Sequence, residues 1–301
     1  MLTPLLSPKV ADAIAGRRPV VALESTIFSN LGLPSPANQT ALSRCVAAVL
    51  AGGAVPAVTA VLDGTVRVGV DESEWERILG PARKVAERDL GVAVAQRWEF
   101  GATTVSASLA IAAAAGVSVF ATGGIGGVHR GAGTTFDVSA DLDALATHAV
   151  VTVCAGAKAF LDLPATMEYL ETRGVPVLGW RHDMLPAFYT RSSGVAVPHR
   201  VESGQEVAAA FRARARERVG MLVVAPIPED AALDEATVEA AIDAALAAAE
   251  RDGVSGAAVT PSILGHIAQA SAGRSVPANL ALAEHNAAVA TEIAVALTSS
   301  G

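Results

Sequence analysis

Three features of the sequence predict an α/β fold, a single three-layer α/β/α domain over residues 1–301 with a central mixed sheet. β-Branched apolar runs alternate with alanine-rich helical runs through most of the chain, the pattern of layered α/β domains. Asp63-Gly64 separates two apolar runs by the two residues of a tight hairpin, which brings antiparallel pairing into the sheet. No stretch has the composition of a linker.

The first strand is PVVALE (19–24), a continuous apolar run of the kind buried on both faces. A helix over 36–52 follows, then AVPAVTAVL (54–62) and TVRVGV (65–70) about the Asp63-Gly64 turn, and VAVA (92–95) reads as a further strand. An alanine-rich helix over 103–115 leads to VSVFA (117–121), and Ser139 is placed to cap a helix over 139–148. The strand AVVTVCA (149–155) precedes a helix from Pro164 to 173, since proline suits the first helical turn, and VPVLG (175–179) follows. Residues 180–203 carry no period and read as a long surface excursion. FRARARER (211–218) reads as the exposed face of a helix, and MLVVA (221–225) is the last strand. Helices over 232–251, from Pro261 with Thr260 as cap, and over 278–298 complete the chain.

A net charge of −8 is spread along the chain without a basic patch, so nucleic acid is not expected as a partner. The N-terminus lacks a basic segment followed by a continuous apolar one, and the alanine-rich stretches are too short or interrupted for a bilayer span. A cytoplasmic location is expected. Cys45 and Cys154 sit in apolar surroundings and read as buried thiols.

The chain writes positive charge with nineteen arginines and three lysines, Lys9, Lys84 and Lys158. Lysine can lose its proton and attack a carbonyl, whereas arginine cannot. Lys158 ends the β-branched run VVTVCAGAK, which makes it a candidate nucleophile. The glycine-rich segment ATGGIGGVHRGAGTTFD (121–137) follows a strand and lets backbone approach an anion. It matches neither nucleotide motif, because GxGxxG from Gly124 would need glycine at His129 and no GxxxxGK[ST] occurs. It reads either as a phosphate cradle built on Gly123 and Gly124 with Thr122, His129 and Arg130 as donors, or as a glycine-rich turn. Asp137, Asp141 and Asp143 crowd the next helix start, where they favour the helix dipole or hold a hard divalent cation. Glu24 ends an apolar strand, where a half-buried carboxylate gains the raised pKa of a general acid or base. HExxH, GxSxG and CxxC are absent.

VALEST (21–26), GAVPAV (53–58), GATTV (101–105), ATGGIGGVHRGA (121–132), TFDVSADL (135–142), VCAGAK (153–158), TMEYLETRGVPVLG (166–179), LPAF (185–188) and PIPE (226–229) occur in this order. Over nearly its whole length the chain thereby resembles the pseudouridine-5'-phosphate glycosidases, also called indigoidine synthase A-like proteins. The resemblance implies that Lys158 forms a Schiff base with C1' of ring-opened ribose 5-phosphate, that Glu24 transfers protons and that Asp141 holds a manganese ion, partly through water. It matches Lys84, Thr122, His129 and Asn279 to substrate-binding positions and implies a homotrimer.

The chain departs from the family pattern at QRWEF (96–100) with Trp98 and Phe100, at Ala225 and Ser262 where the family has asparagine and phenylalanine, and at His285-Asn286 in place of paired asparagines. Trp98, Ala225 and Ser262 are accordingly expected in the aglycone pocket, where lost polar groups favour a larger, flatter ring than uracil. On that ground the sequence favours C-ribosylation of an aromatic, polyketide-like acceptor, similar to the alnumycin-type branch of the family. A housekeeping glycosidase that yields uracil and ribose 5-phosphate is the alternative, and a silent sugar-phosphate binder the remote one.

Overall fold

A computed structural model of the chain describes residues 3–253 and 259–299. Its strands are β1 (Leu5–Leu6), β2 (Val20–Leu23), β3 (Val55–Leu62), β4 (Thr65–Val68), β5 (Arg83–Val85), β6 (Phe100–Thr103), β7 (Val119–Ala121), β8 (Val151–Cys154), β9 (Val177–Trp180), β10 (His199–Val201) and β11 (Met221–Val224). Its helices are α1 (Pro8–Ala15), α2 (Ala37–Ala51), α3 (Trp75–Ile78), α4 (Leu90–Ala95), α5 (Val105–Ala115), α6 (Ala132–Thr135), α7 (Ala140–Thr147), α8 (Leu163–Arg173), α9 (Gly204–Arg212), α10 (Glu235–Arg251), α11 (Val259–Ala270) and α12 (Ser275–Thr298).

The mixed α/β plan expected from the alternating runs is present. Eleven strands form one sheet in the order β1-β4-β3-β2-β7-β8-β11-β9-β10, with β6 added to β3 and β5 to β6. The long strand β3 serves two partnerships. Val55–Val58 pair in parallel with β2, whereas the half from Thr59 onward pairs antiparallel with both β4 and β6. Asp63 and Gly64 both take positive φ, 51° and 75°, as a tight turn between β3 and β4 requires.

Every residue of β2, β7 and β8 is buried, because α5 and α12 both lie on β2 and β7. This gives three layers, with the core between each helix layer and the sheet. By length and hydropathy α12 would pass for a membrane span. Its apolar residues instead pack on α2, α9 and the three central strands, the role of a core helix.

Several local expectations need correction. VAVA (92–95) lies in α4, not in a strand. Leu90 and Ala93 face the core at helical spacing while Val92 and Val94 point outward, and a four-residue apolar run does not distinguish the two periods. Residues 180–203 are no surface excursion, since Leu185, Phe188 and Tyr189 are buried in the core. FRARARER leaves the helix after Arg212; Arg212 donates to the carbonyls of Ala296 and Leu297 at the end of α12, and Arg214 turns back onto Phe211 and Glu217. The Thr260 cap rests on a side chain outside the described residues. Ser139 caps α7 as expected, accepting from Asp141 N, and both cysteines are free and buried, their thiols pushed up to about 12 by burial.

Candidate active site

The strand order reverses between β2 and β7: the chain runs outward from β2 to β3 on one side and from β7 to β8 on the other. In such sheets a crevice opens at the carboxyl ends of the strands beside the reversal. Glu24 is the first residue after β2, Thr122 the first after β7, and Lys158 follows β8 by four residues. A cavity of about 260 Å³ lies there, lined by Glu24, Lys84, Arg88, His129, Asp141 and Lys158, with Leu31, Val105 and Phe160 as apolar wall.

Glu24 is buried, and its carboxylate accepts a hydrogen bond from Thr122 Oγ1. Burial pushes its pKa up to about 7, opposed by the positive charge of Lys158 and by the Thr122 bond. The carboxyl therefore gains and loses a proton near neutrality. Lys84, projected from β5, is held below the usual lysine range by burial and by the neighbouring charge of Lys158. Burial also lowers the His129 imidazole, against the pull of Asp137 at 3.6 Å.

Asp141 ties three elements together. Its Oδ1 accepts from Ser106 N at 3.0 Å, in the first turn of α5, and its Oδ2 from Gly126 N at 2.8 Å. Only glycine fits at 126, since a Cβ there would lie 2.2 Å from Ser139 Oγ. The glycine-rich segment is thus largely occupied with its own architecture. The amides of Ile125, Gly126, Val128 and His129 all donate within the protein. Thr122 and Gly123 are pinned through their carbonyls by Asn286 Nδ2 of α12, at 2.8 and 3.2 Å. Phe188 leans on Gly124, where a Cβ would meet its ring at 2.5 Å.

Beside Glu24, on the β3–β6 side, lies a cluster of buried hydroxyls. Thr59 Oγ1 donates to Leu23 O at 3.1 Å, and Ser25 exchanges bonds with Thr103 through its backbone N and its Oγ. Thr103 Oγ1 also contacts Thr59 Oγ1 at 2.9 Å, and Thr59 Oγ1 contacts Ser108 Oγ at 2.9 Å. Both neighbours of Glu24 in the chain are held by this clasp.

Not every residue singled out in the sequence reaches the cavity. Arg130 is exposed and lies 3.7 Å from Asp243 of α10. Trp98 sits at the β5–β6 edge with the Arg83 guanidinium 3.5 Å over its ring. Ala225 is buried at the end of β11, and Ser262 uses its carbonyl to accept from His266 within α11. Asn279 is buried beside Gly123 with its Oδ1 unpartnered. The cavity also brings in Thr104, Ser106 and Phe160, which are not among the site residues expected from the sequence. The hydroxyls of GATTVS at a helix start were the available signal.

Among the described residues no three His, Cys, Asp or Glu side chains group as a metal cage. Both Asp141 oxygens already accept an amide. Each keeps a second lone pair, so Asp141 fits a hard cation that retains most of its own water, the habit of magnesium-like ions.

The family profile described as "Indigoidine synthase A like protein" matches residues 9–296. The chain is 48% identical over 300 residues to a pseudouridine-5'-phosphate glycosidase of Sorangium cellulosum, covering 98% of this chain and 94% of the relative. It is 50% identical over 300 residues to one of Herpetosiphon aurantiacus, covering 98% of each. A crystal structure of the prealnumycin C-glycosynthase AlnA in complex with ribulose 5-phosphate superposes with a TM-score of 0.89 at 40% identity, over 98% of this chain and 97% of that one. An indigoidine synthase A-like protein from Thermotoga maritima gives a TM-score of 0.85 at 34% identity, over 94% of each chain.

Proposed function

The chain belongs to the indigoidine synthase A-like family, and on that premise we propose that it cleaves the C–C glycosidic bond of pseudouridine 5'-phosphate to uracil and ribose 5-phosphate. It is an enzyme of the pseudouridine-5'-phosphate glycosidase type. The observation that carries the reaction is the cavity itself, which sets a buried carboxyl with a pKa of about 7 beside two lysines.

A C–C glycoside has no leaving oxygen to protonate, so bond breaking needs an electron sink at C1'. Lys158 Nζ bonds to C1' as the C1'–O4' bond of the sugar ring breaks; the nitrogen gives up a proton and O4' takes one. The nitrogen lone pair then forms the C1'=N bond as the C1'–aryl bond breaks. The pair from that bond stays with the aryl carbon, which takes a proton. Water hydrolyses the imine to the aldehyde of ribose 5-phosphate and frees the amine. Glu24 delivers and collects protons, a role its pKa suits at neutral pH. Lys84, Arg88 and His129 supply the donors for the phosphate end. We assign Asp141 as the residue that would hold a divalent cation such as Mn2+, whose charge would offset that of the bound phosphate.

The sequence favours C-ribosylation of an aromatic acceptor, whereas the names of the relatives support the glycosidase alternative better. The departures behind the first preference also lose their weight, since Trp98, Ala225 and Ser262 do not line the cavity. The likeness to AlnA keeps C-ribosylation as the second reading, in which the same imine is attacked by an electron-rich ring carbon.

The test is uracil release from pseudouridine 5'-phosphate with Mn2+ present, coupled to borohydride trapping of ribose 5-phosphate and peptide mapping of the adduct. Release, with the adduct on Lys158, is the expected result. An adduct on Lys84 would reassign the nucleophile. No release despite an adduct on Lys158 would favour C-ribosylation.

A further inference from the structure

We propose that Asn286 is a positioning residue for Glu24, acting through Thr122; the inference rests on the reaction proposed above. Asn286 sits in the middle of α12, wholly buried between Ala283 and Ala290. A buried amide costs free energy unless it is paired. Its Nδ2 donates to Thr122 O and Gly123 O, while its Oδ1 has no partner among the described residues. A buried amide kept for two carbonyls with its oxygen orphaned is poor packing. It becomes intelligible from what those carbonyls belong to.

Thr122 is the residue at which β7 leaves the sheet. Its N donates to Val153 O at 3.0 Å, and Asn286 holds its carbonyl, so the backbone is fixed from both sides. A β-branched side chain on a fixed backbone has few χ1 choices. The hydroxyl that results is the single hydrogen-bond partner of the Glu24 side chain among the described residues, and no lysine stands within ion-pair distance of that carboxylate. The hydroxyl clasp at Ser25 holds the Glu24 backbone only. Orientation of the carboxylate therefore runs from α12 through Asn286 to Thr122 and on to Glu24.

A double-mutant cycle on uracil release tests this. Asn286→Leu and Thr122→Val are each expected to lower kcat between tenfold and a hundredfold with KM within about twofold, because misplacing a reacting group by an ångström costs that much. The double variant should be no slower than the slower single variant, since both break one chain of contacts. Thr122→Ser, which keeps the hydroxyl, should restore most of the rate. Wild-type kcat in Asn286→Leu, or losses that multiply in the double variant, would overturn the proposal. If Asn286→Leu does not fold, Asn286→Ala takes its place in the cycle, alanine being the best helix former. Wild-type protein that releases no uracil would remove the proposed reaction and this inference with it, an outcome distinct from an active wild type with an indifferent Asn286.

Discussion

Ser25, Thr59, Thr103 and Ser108 on the β3–β6 side of Glu24, and Lys84, Asp141 and Lys158 on its cavity side, are two polar regions a few residues apart in the same crevice. The four hydroxyl residues are fully buried, uncharged, and bonded to one another and to the strand ends. The charged groups share a cavity, yet neither lysine forms an ion pair within 4 Å among the described residues. Neutral hydroxyls that satisfy each other are cheap to bury and fix a backbone firmly. A tight ion pair would hold Glu24 ionised, and none is present among the described residues. Under the proposed reaction, one region positions and the other reacts.

The largest effect that can break this division lies at Lys158. Lys158→Ala should abolish both uracil release and the borohydride adduct, and Lys158→Arg should do the same, because a guanidinium keeps its proton and cannot form the imine. Activity in either variant would move the chemistry to Lys84.

Glu24→Gln comes next. Loss of a general acid-base group should lower kcat by about 10²- to 10⁴-fold. Stability should move the other way. The folded carboxyl titrates near 7 against 4.5 for the free group, so the folded state binds more protons between those values. Its contribution is complete below pH 4.5 and is lost as pH rises through 7, a decline of about 3 kcal/mol in unfolding free energy. Glu24→Gln should flatten that decline, so that at pH 8 the variant unfolds at higher denaturant concentration than the wild type. A wild-type profile without the decline would show a carboxyl better solvated than its surroundings indicate.

On the clasp side, Thr59→Val keeps the shape and removes the hydroxyl. It removes a donor from Leu23 O and a partner from Thr103 Oγ1 and Ser108 Oγ, and a buried hydrogen bond contributes about 0.5–1.5 kcal/mol. Urea unfolding should register that loss while KM stays within about twofold. A large change in KM with unchanged stability would put the clasp in contact with substrate and dissolve the distinction between the two regions.

Much of this arrangement was legible in the sequence where a run was long or a motif specific. The central strands, the Asp63-Gly64 turn and the Ser139 cap follow from local chemistry that the fold leaves intact. VAVA is too short to separate the two periods, FRARARER alternates with period two instead of the helical 3.6, and tertiary contacts decide both. Glu24, Lys158 and Asp141 could be nominated because each ends or follows a recognisable element. Asn286 stands out only as half of a changed asparagine pair and Thr59 not at all, since their importance lies in partners 164 and 36 residues away. The glycine string invited an anion-cradle reading, yet most of its amides turn inward to hold Asp141 and the neighbouring loops.

The smallest expected effect is at Trp98, and it sharpens the boundary of the reacting region. Sequence departure alone places Trp98 in the aglycone pocket, but the ring lies at the β5–β6 edge under Arg83, with its Nε1 donating to Gln96 Oε1 at 2.8 Å. A half-exposed cation–π contact contributes about 0.5–1 kcal/mol. Trp98→Ala should therefore lower stability by about that amount and leave kcat, KM and the choice between uracil and a larger aromatic acceptor unchanged within about twofold. Competition between the two aglycones for ribose 5-phosphate, without borohydride, is the measurement that decides. A shift in preference there would mean that substrate binding draws Trp98 toward the cavity and that the reacting region extends beyond the strand ends.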